Sequence, residues 1–166
     1  MSTTHVIITP FAPQDADAFV ALNMAWLVGH GLLEPADEKQ LHDPQTHVFD
    51  HGGEIFIARV GDVPVGCCAA IPRGDGSMEI AKLAVDRSAR GRGIGRRLVN
   101  QALTWGQQRH YTRAVLTSNR RLKMALNLYE SLGFRYLPLP AGVAYETADV
   151  YMELDLAAWS AQGTPR

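Results

Sequence analysis

Residues 77–101 read SMEIAKLAVDRSARGRGIGRRLVNQ, and this stretch constrains the chain more than any other. Met78 to Val85 is apolar or β-compatible and suits a buried strand. Asp86 to Arg90 is a polar turn, and from Ile94 a helical pattern runs on through Leu98, Val99, Ala102 and Leu103. The order is strand, glycine-rich loop, helix.

The loop carries chemistry. Arg90-Gly91-Arg92-Gly93-Ile94-Gly95 precedes a helix whose first N–H groups have no partner inside it, and glycines let a backbone approach a ligand closely. Such a site collects anions. Arginines at 87, 90, 92, 96 and 97 form a local positive patch in a chain of net charge −1, so the expected ligand is a polyphosphate. A dinucleotide fingerprint fails from Gly91, because its third glycine would fall on Arg96, and from Gly93, because it would fall on Leu98. A P-loop fails too, since Gly95 is followed by Arg96 and Arg97 in place of Lys-Ser/Thr.

A length of 166 residues and 46% hydrophobic content suit one domain, 1–166, with one core. The N-terminus has no basic run followed by a long apolar segment, and no apolar stretch is long enough to span a bilayer, so a cytoplasmic protein without a membrane partner is expected. Cys67 and Cys68 are neighbours on an expected strand, where their side chains face opposite ways. His47 and His51 have i, i+4 spacing but no evident third ligand, so no metal is expected.

In chain order the pattern predicts a strand at His5–Thr9, a helix at Asp15–Leu27, and a short helix at Pro35–Leu41. His42–Gly53 reads as loop. Strands at Glu54–Val60 and Val63–Ile71 join at Gly61-Asp62, and a turn at Pro72–Ser77 leads into the central strand. A strand follows at Thr112–Thr117, then a helix at Arg120–Leu132 with Met124, Ala125, Leu128, Tyr129 and Leu132 on one face, closed by Gly133. The last strands are Phe134–Leu137 and Ala148–Leu156, separated by the loop Pro138–Thr147.

Arg90 to Gly95 resembles the acetyl-CoA-binding motif of the GNAT N-acetyltransferases, Gln/Arg-x-x-Gly-x-Gly/Ala. Glu79 to Val85 resembles that family's fourth strand, and Leu128-Tyr129-Glu130-Ser131-Leu132-Gly133-Phe134 its fourth helix and following strand. The resemblance implies an α/β (α+β) fold: a mixed, mostly antiparallel central sheet flanked by helices, with two parallel strands splayed at the cofactor site. It implies acetyl transfer from acetyl-CoA to a small-molecule or peptide amine by direct attack in a ternary complex. Homodimers are common among the proteins it resembles.

The resemblance assigns roles residue by residue. The main chain of Leu83, Ala84 and Val85 would hold the acetyl and pantetheine portions, and residues Arg90, Gly91, Arg92, Gly93, Ile94, Gly95 and Arg96 the pyrophosphate. Glu79 matches the catalytic glutamate, acting through a water or two; Tyr129 matches the general acid toward the coenzyme sulfur. A phenol pKa of about 10 suits a thiolate leaving group. Many members have asparagine where this chain has Leu122, and Asn119, one turn earlier, is the candidate replacement. Trp26, His30 and Tyr145 fall where the family places acceptor-binding segments, as do Glu34 and Asp37, whose carboxylates would suit a cationic acceptor.

Two other classes fit parts of the pattern. A non-catalytic acyl-CoA sensor would need the loop but neither Glu79 nor Tyr129. A nucleic-acid module could use Arg87 to Arg97, but the net charge of −1 and the lack of interleaved aromatics argue against it.

Overall fold

Residues 54–85 fold as an antiparallel meander because two glycine turns interrupt an otherwise apolar run. Strands β2 (Glu54–Val60) and β3 (Val63–Pro72) meet at Gly61, whose φ of 59° suits a tight hairpin. Strand β4 (Ser77–Val85) follows a turn held by Asp75, whose Oδ1 accepts from the Ser77 N–H at 3.0 Å. The computed structural model describes residues 5–143 and 145–161. The extreme ends of the expected 1–166 span, and residue 144 of the Pro138–Thr147 loop, lie outside the described residues.

The described strands form a seven-stranded sheet in the order β1-β2-β3-β4-β5-β7-β6, with β1 at Val6–Pro10, β5 at Arg113–Ser118, β6 at Arg135–Leu137 and β7 at Val150–Asp155. Only β4 and β5 run parallel; every other pair is antiparallel. The expected mixed, mostly antiparallel sheet is therefore observed.

Helices cover both faces. On one face lie α1 (Ala16–Gly29) and α2 (Pro35–Leu41), packed through Phe19 and Leu41 on Ile55, Ile57, Cys67, Ala69 and Ala84. On the other, α4 (Ile94–Gln108) and α5 (Lys123–Leu132) bury Leu98, Leu103, Leu126 and Tyr129 against Cys68, Met78, Ile80, Leu116 and Met152. Each large apolar side chain buried in this way contributes about 1.5–3 kcal/mol. Cys67 and Cys68 fall into opposite cores, as alternation requires, and both are free thiols. Burial raises both thiol pKa values, that of Cys67 to about 12.

Close helix approach depends on small residues. A Cβ at Gly106 would stand 2.1 Å from Met78 Sδ, and one at Gly66 3.0 Å from Leu98 Cδ1. Glycine at both positions lets α4 lie against β3 and β4, which sets its N-terminus over the end of β4.

The structure departs from the pattern at three places. The expected loop 42–53 contains α3 (Pro44–His47) and a 3-10 turn at Phe49–His51; Asp43 caps α3 by accepting from the Thr46 N–H at 3.1 Å. Helix α5 begins at Lys123, later than the expected Arg120, because Asn119 Oδ1 accepts from the Arg121 N–H in a preceding turn. Met124 is 73% exposed and does not share the packed face with Ala125 and Tyr129. Among the described residues, no helix is long and apolar enough to cross a membrane.

Candidate active site

The pairing of β4 with β5 stops early. Ser77, Met78 and Glu79 pair with Arg113, Ala114 and Val115, and beyond that point the two strands have no mutual register while β4 runs on to Val85 and β5 to Ser118. Glu79 stands at the crotch of the split. Parallel strands that separate leave backbone N–H and C=O groups able to pair with an extended, amide-bearing ligand.

Two adjoining cavities occupy the split and share Trp26, Leu83, Leu122 and Ala125. The first is framed by α1, α2, β4 and the segment near Tyr145, and its lining includes Asp37, Gln40, Glu79, Lys82 and Tyr129. The second opens at the start of α4 and is lined by Val85, Arg90, Gly91, Gly93, Ile94, Gly95 and Arg96.

The second cavity has the features of an anion cradle. Gly93 caps α4 with φ 75° and no side chain to engage the first N–H groups, and Gly91 has φ 78°. A Cβ on Gly95 would reach 3.5 Å from Leu128 Cδ2 and 3.9 Å from Val85 Cγ2, both wall residues, so it would enter the cavity. Arg96 Nη2 donates to Ser131 Oγ at 2.6 Å, whereas Nη1 is buried with no partner among the described residues. A buried guanidinium N–H without an acceptor, beside helix N–H groups that no side chain caps, fits an anionic group such as a pyrophosphate.

The other arginines have different partners. Arg90 Nε donates to the Val85 carbonyl at 3.1 Å and its guanidinium lies 4.7 Å from the Trp26 ring centroid, while Arg97 Nη1 donates to the Val6 carbonyl at 2.9 Å. Arg92 is exposed and lines neither cavity, and Ala84 turns its side chain into the α1-side core. Arg87 lines a separate groove beside α1, which it shares with Arg90.

The first cavity owes its charges to a bulge. Cys67 pairs with Ala84 and Ala69 with Ala81, so three steps along β4 oppose two along β3. Lys82 absorbs the extra residue at φ 56°, a conformation uncommon for a side-chain-bearing residue, and its carbonyl accepts from Cys67 Sγ at 3.3 Å. The bulge reverses the facing of the strand: Met78 and Ile80 join the α4-side core, as do Leu83 and Val85 beyond it. It also shortens the path from Glu79 to Leu83 to about 10 Å at ~3.3 Å per residue.

Glu79 pairs with Arg73 at 3.3 Å, an ion pair whose arginine is 43% exposed. Burial raises the Glu79 pKa against the opposing charges of Arg73 and Lys82. Lys82 Nζ donates to the Tyr145 hydroxyl at 2.9 Å, which in turn donates to Gln40 Oε1. Burial lowers the Lys82 pKa, with the charges of Asp37 and Glu79 acting in the other direction. Asp37 is 4% exposed and accepts from the Glu34 N–H at 2.7 Å; burial raises its pKa. Glu34 accepts from the N–H groups of Glu146 and Thr147, both at 3.0 Å, and so pins the segment that carries Tyr145.

Tyr129 is 7% exposed and lines the first cavity, edge-on to Phe134. Its hydroxyl has no hydrogen bond to a described residue, and burial raises its pKa. Asn119 lines this same cavity and not the glycine-loop cavity: its Nδ2 donates to the Thr147 carbonyl. Of the residues expected near an acceptor, Tyr145 lines the first cavity, Trp26 both, and His30 only the second, with Nδ1 2.7 Å from the Trp26 carbonyl oxygen.

Sequence reasoning missed Lys82 and Gln40. The available signal was a lysine inside the otherwise apolar run Ile80 to Val85, which a regular strand would have directed into the α4-side core.

Comparison with known proteins joins this geometry to a family. The model of the acetyltransferase (GNAT) family matches residues 18–134. N-acetyltransferase family 8 member 2 of Rattus norvegicus is 31% identical over 115 residues, covering 66% of this chain and 51% of that protein. The chain spans about half the length of the curated relatives it matches. Among solved structures, a GNAT-family acetyltransferase of Staphylococcus aureus superposes with TM-score 0.84 at 16% identity, over 92% of this chain and 99% of that one. The PaiA N-acetyltransferase of Thermoplasma acidophilum, solved with coenzyme A, gives 0.72 at 12% identity, over 91% and 99%.

Proposed function

We propose that this chain, which belongs to the GNAT acetyltransferase family, moves an acetyl group from acetyl-CoA to an amine by direct attack. The observation that carries the reading is the split itself: the β4–β5 pairing ends at Glu79, and the two adjoining cavities beyond it reach from Tyr129 to the mouth of α4. The coenzyme A bound to the Thermoplasma neighbour supports the same assignment of ligand class.

Acetyl-CoA supplies a thioester whose carbonyl carbon is open to attack and whose sulfur can leave. The N–H groups at Ile94 to Arg96, with Arg96 Nη1, hold the pyrophosphate. Main chain from Leu83 to Val85, unpaired on its β5 side, holds the pantetheine amides and offers an N–H to the developing oxyanion. In the transfer an N–C bond forms and the C–S bond breaks. The amine proton goes to Glu79, and the departing sulfur takes a proton from Tyr129.

Once ionised, a carboxyl with a raised pKa is a stronger base than an ordinary glutamate, and at about 10 Å from Leu83, at ~3.3 Å per residue, it acts through intervening water. Burial keeps the Tyr129 phenol protonated and makes it a weaker acid than a free phenol, so it acts first as a hydrogen-bond donor to the developing thiolate and yields its proton only as that charge builds. The test is thiol release from acetyl-CoA by the full chain across a panel of amines. Amine-dependent release is expected; acetyl-CoA binding without release for any amine would favour the sensor reading.

A further inference from the structure

Lys82 is unusual among the charges of the first cavity. The β4 bulge turns it away from the α4-side core and toward Glu79, Asp37 and Tyr145. An ammonium carries three donors, and the Tyr145 hydroxyl, at 2.9 Å, takes one. Among the described residues no carboxylate lies within ion-pair distance of Nζ, although Asp37 and Glu79 share the cavity. The nearby Asp37 Oδ2 is occupied by the Glu34 N–H, and both Glu34 carboxylate oxygens are taken up by the 146–147 segment.

A partly desolvated cation without its own carboxylate is costly unless a ligand supplies one. Three residues before it on the same strand stands the carboxylate that would receive an amine proton. A plain cationic acceptor would gain from Glu79 and Asp37 but would be repelled by Lys82.

We infer that the acceptor is an amine that also carries a carboxylate a few atoms away, an amino acid or short peptide, with Lys82 pairing its carboxylate while its amine lies toward Glu79. Tyr145 and Gln40 fix the lysine head group, so Lys82 is a specificity residue on the acceptor side. The inference rests on the acetyl-transfer reading above.

The test compares thiol release from acetyl-CoA with free L-amino acids and with the matching amino acid amides, in the wild type, Lys82→Met, Lys82→Arg and Lys82→Gly. The glycine variant relieves the left-handed backbone at this position and so guards against misfolding. A charge-assisted hydrogen bond accounts for a preference of about 10- to 100-fold in kcat/KM for acid over amide. Lys82→Met and Lys82→Gly are expected to erase that preference, chiefly through KM for the acids, and Lys82→Arg to restore part of it. Calorimetric affinity for acetyl-CoA should stay within about twofold in all four proteins. Equal use of acids and amides by the wild type, or an unchanged ratio in Lys82→Met, overturns the inference and leaves acetyl transfer standing. Absence of thiol release with every amine overturns both.

Discussion

Replacing Gly95 with alanine separates folding from binding by a single methyl group. Gly95 is the second residue of α4, and its Cβ would meet Leu128 Cδ2 at 3.5 Å and Val85 Cγ2 at 3.9 Å, ordinary contact distances. Its φ is not in the left-handed region that constrains Gly91 and Gly93. Alanine is favoured over glycine by up to ~1 kcal/mol in a helix interior, and about half of that is reasonable this near the N-terminus. The variant is therefore expected to be more stable by about 0.5 kcal/mol, or ~1–2 °C in Tm. The same methyl projects into the cavity beside the open helix N–H groups. Losing one hydrogen bond to a charged phosphate costs about 1.5–3 kcal/mol, which weakens Kd for acetyl-CoA by roughly 10- to 150-fold. Thermal denaturation and calorimetric titration of the same preparation read both effects. A folded Gly95→Ala protein with wild-type affinity would refute the placement of the pyrophosphate at this mouth.

Glu79→Gln should remove nearly all turnover while leaving acetyl-CoA affinity intact, and the rise of the wild-type rate with pH through the raised Glu79 pKa should vanish in the variant. Because folding raises this pKa, Glu79 makes the wild type lose stability as pH climbs from the ordinary glutamate value to the folded one; chemical denaturation should show that slope reduced in Glu79→Gln. Tyr129→Phe should slow turnover at unchanged acetyl-CoA binding, and a wild-type rate would return this tyrosine to a packing role. Asp15 is buried against Arg59 at 2.6 Å; burial pushes its pKa up, but the Arg59 hydrogen bond, the Ala12 N–H and the Arg59 charge bring it below the ordinary value. Asp15→Ala should cost about 3 kcal/mol near neutral pH. The gap to wild type should close as pH falls through the lowered Asp15 value, which urea denaturation at a series of pH values would measure.

Much of the architecture was legible because it rests on local rules. The 54–85 meander follows from apolar runs broken by Gly61-Asp62 and Gly74-Asp75-Gly76, and α5 ends at Gly133, whose φ of 105° is the left-handed stop that glycine supplies. The glycine loop was read as an anion site from its residues, and resemblance supplied Glu79 and Tyr129; the structure gathers the loop at one cavity and the pair at the adjoining one. What escaped was non-local. The β4 bulge is a mismatch between two strands, so neither strand's sequence specifies it, and it alone decides that Lys82 faces the first cavity. Asn119 was expected at the cofactor, but its amide is committed to a carbonyl 28 residues away, a pairing no spacing rule encodes. Helix α3 was missed for a local reason: the cap Asp43 and the first-turn Pro44 were read as loop residues when together they open a helix.

The most direct measurement is calorimetric titration of the wild-type protein with acetyl-CoA, with ATP and NAD as controls. The account predicts saturable binding of acetyl-CoA at one site per chain and no comparable binding of either nucleotide. A folded protein that does not bind acetyl-CoA, or that binds ATP or NAD as well, would contradict the assignment of the split between β4 and β5 as a coenzyme A site.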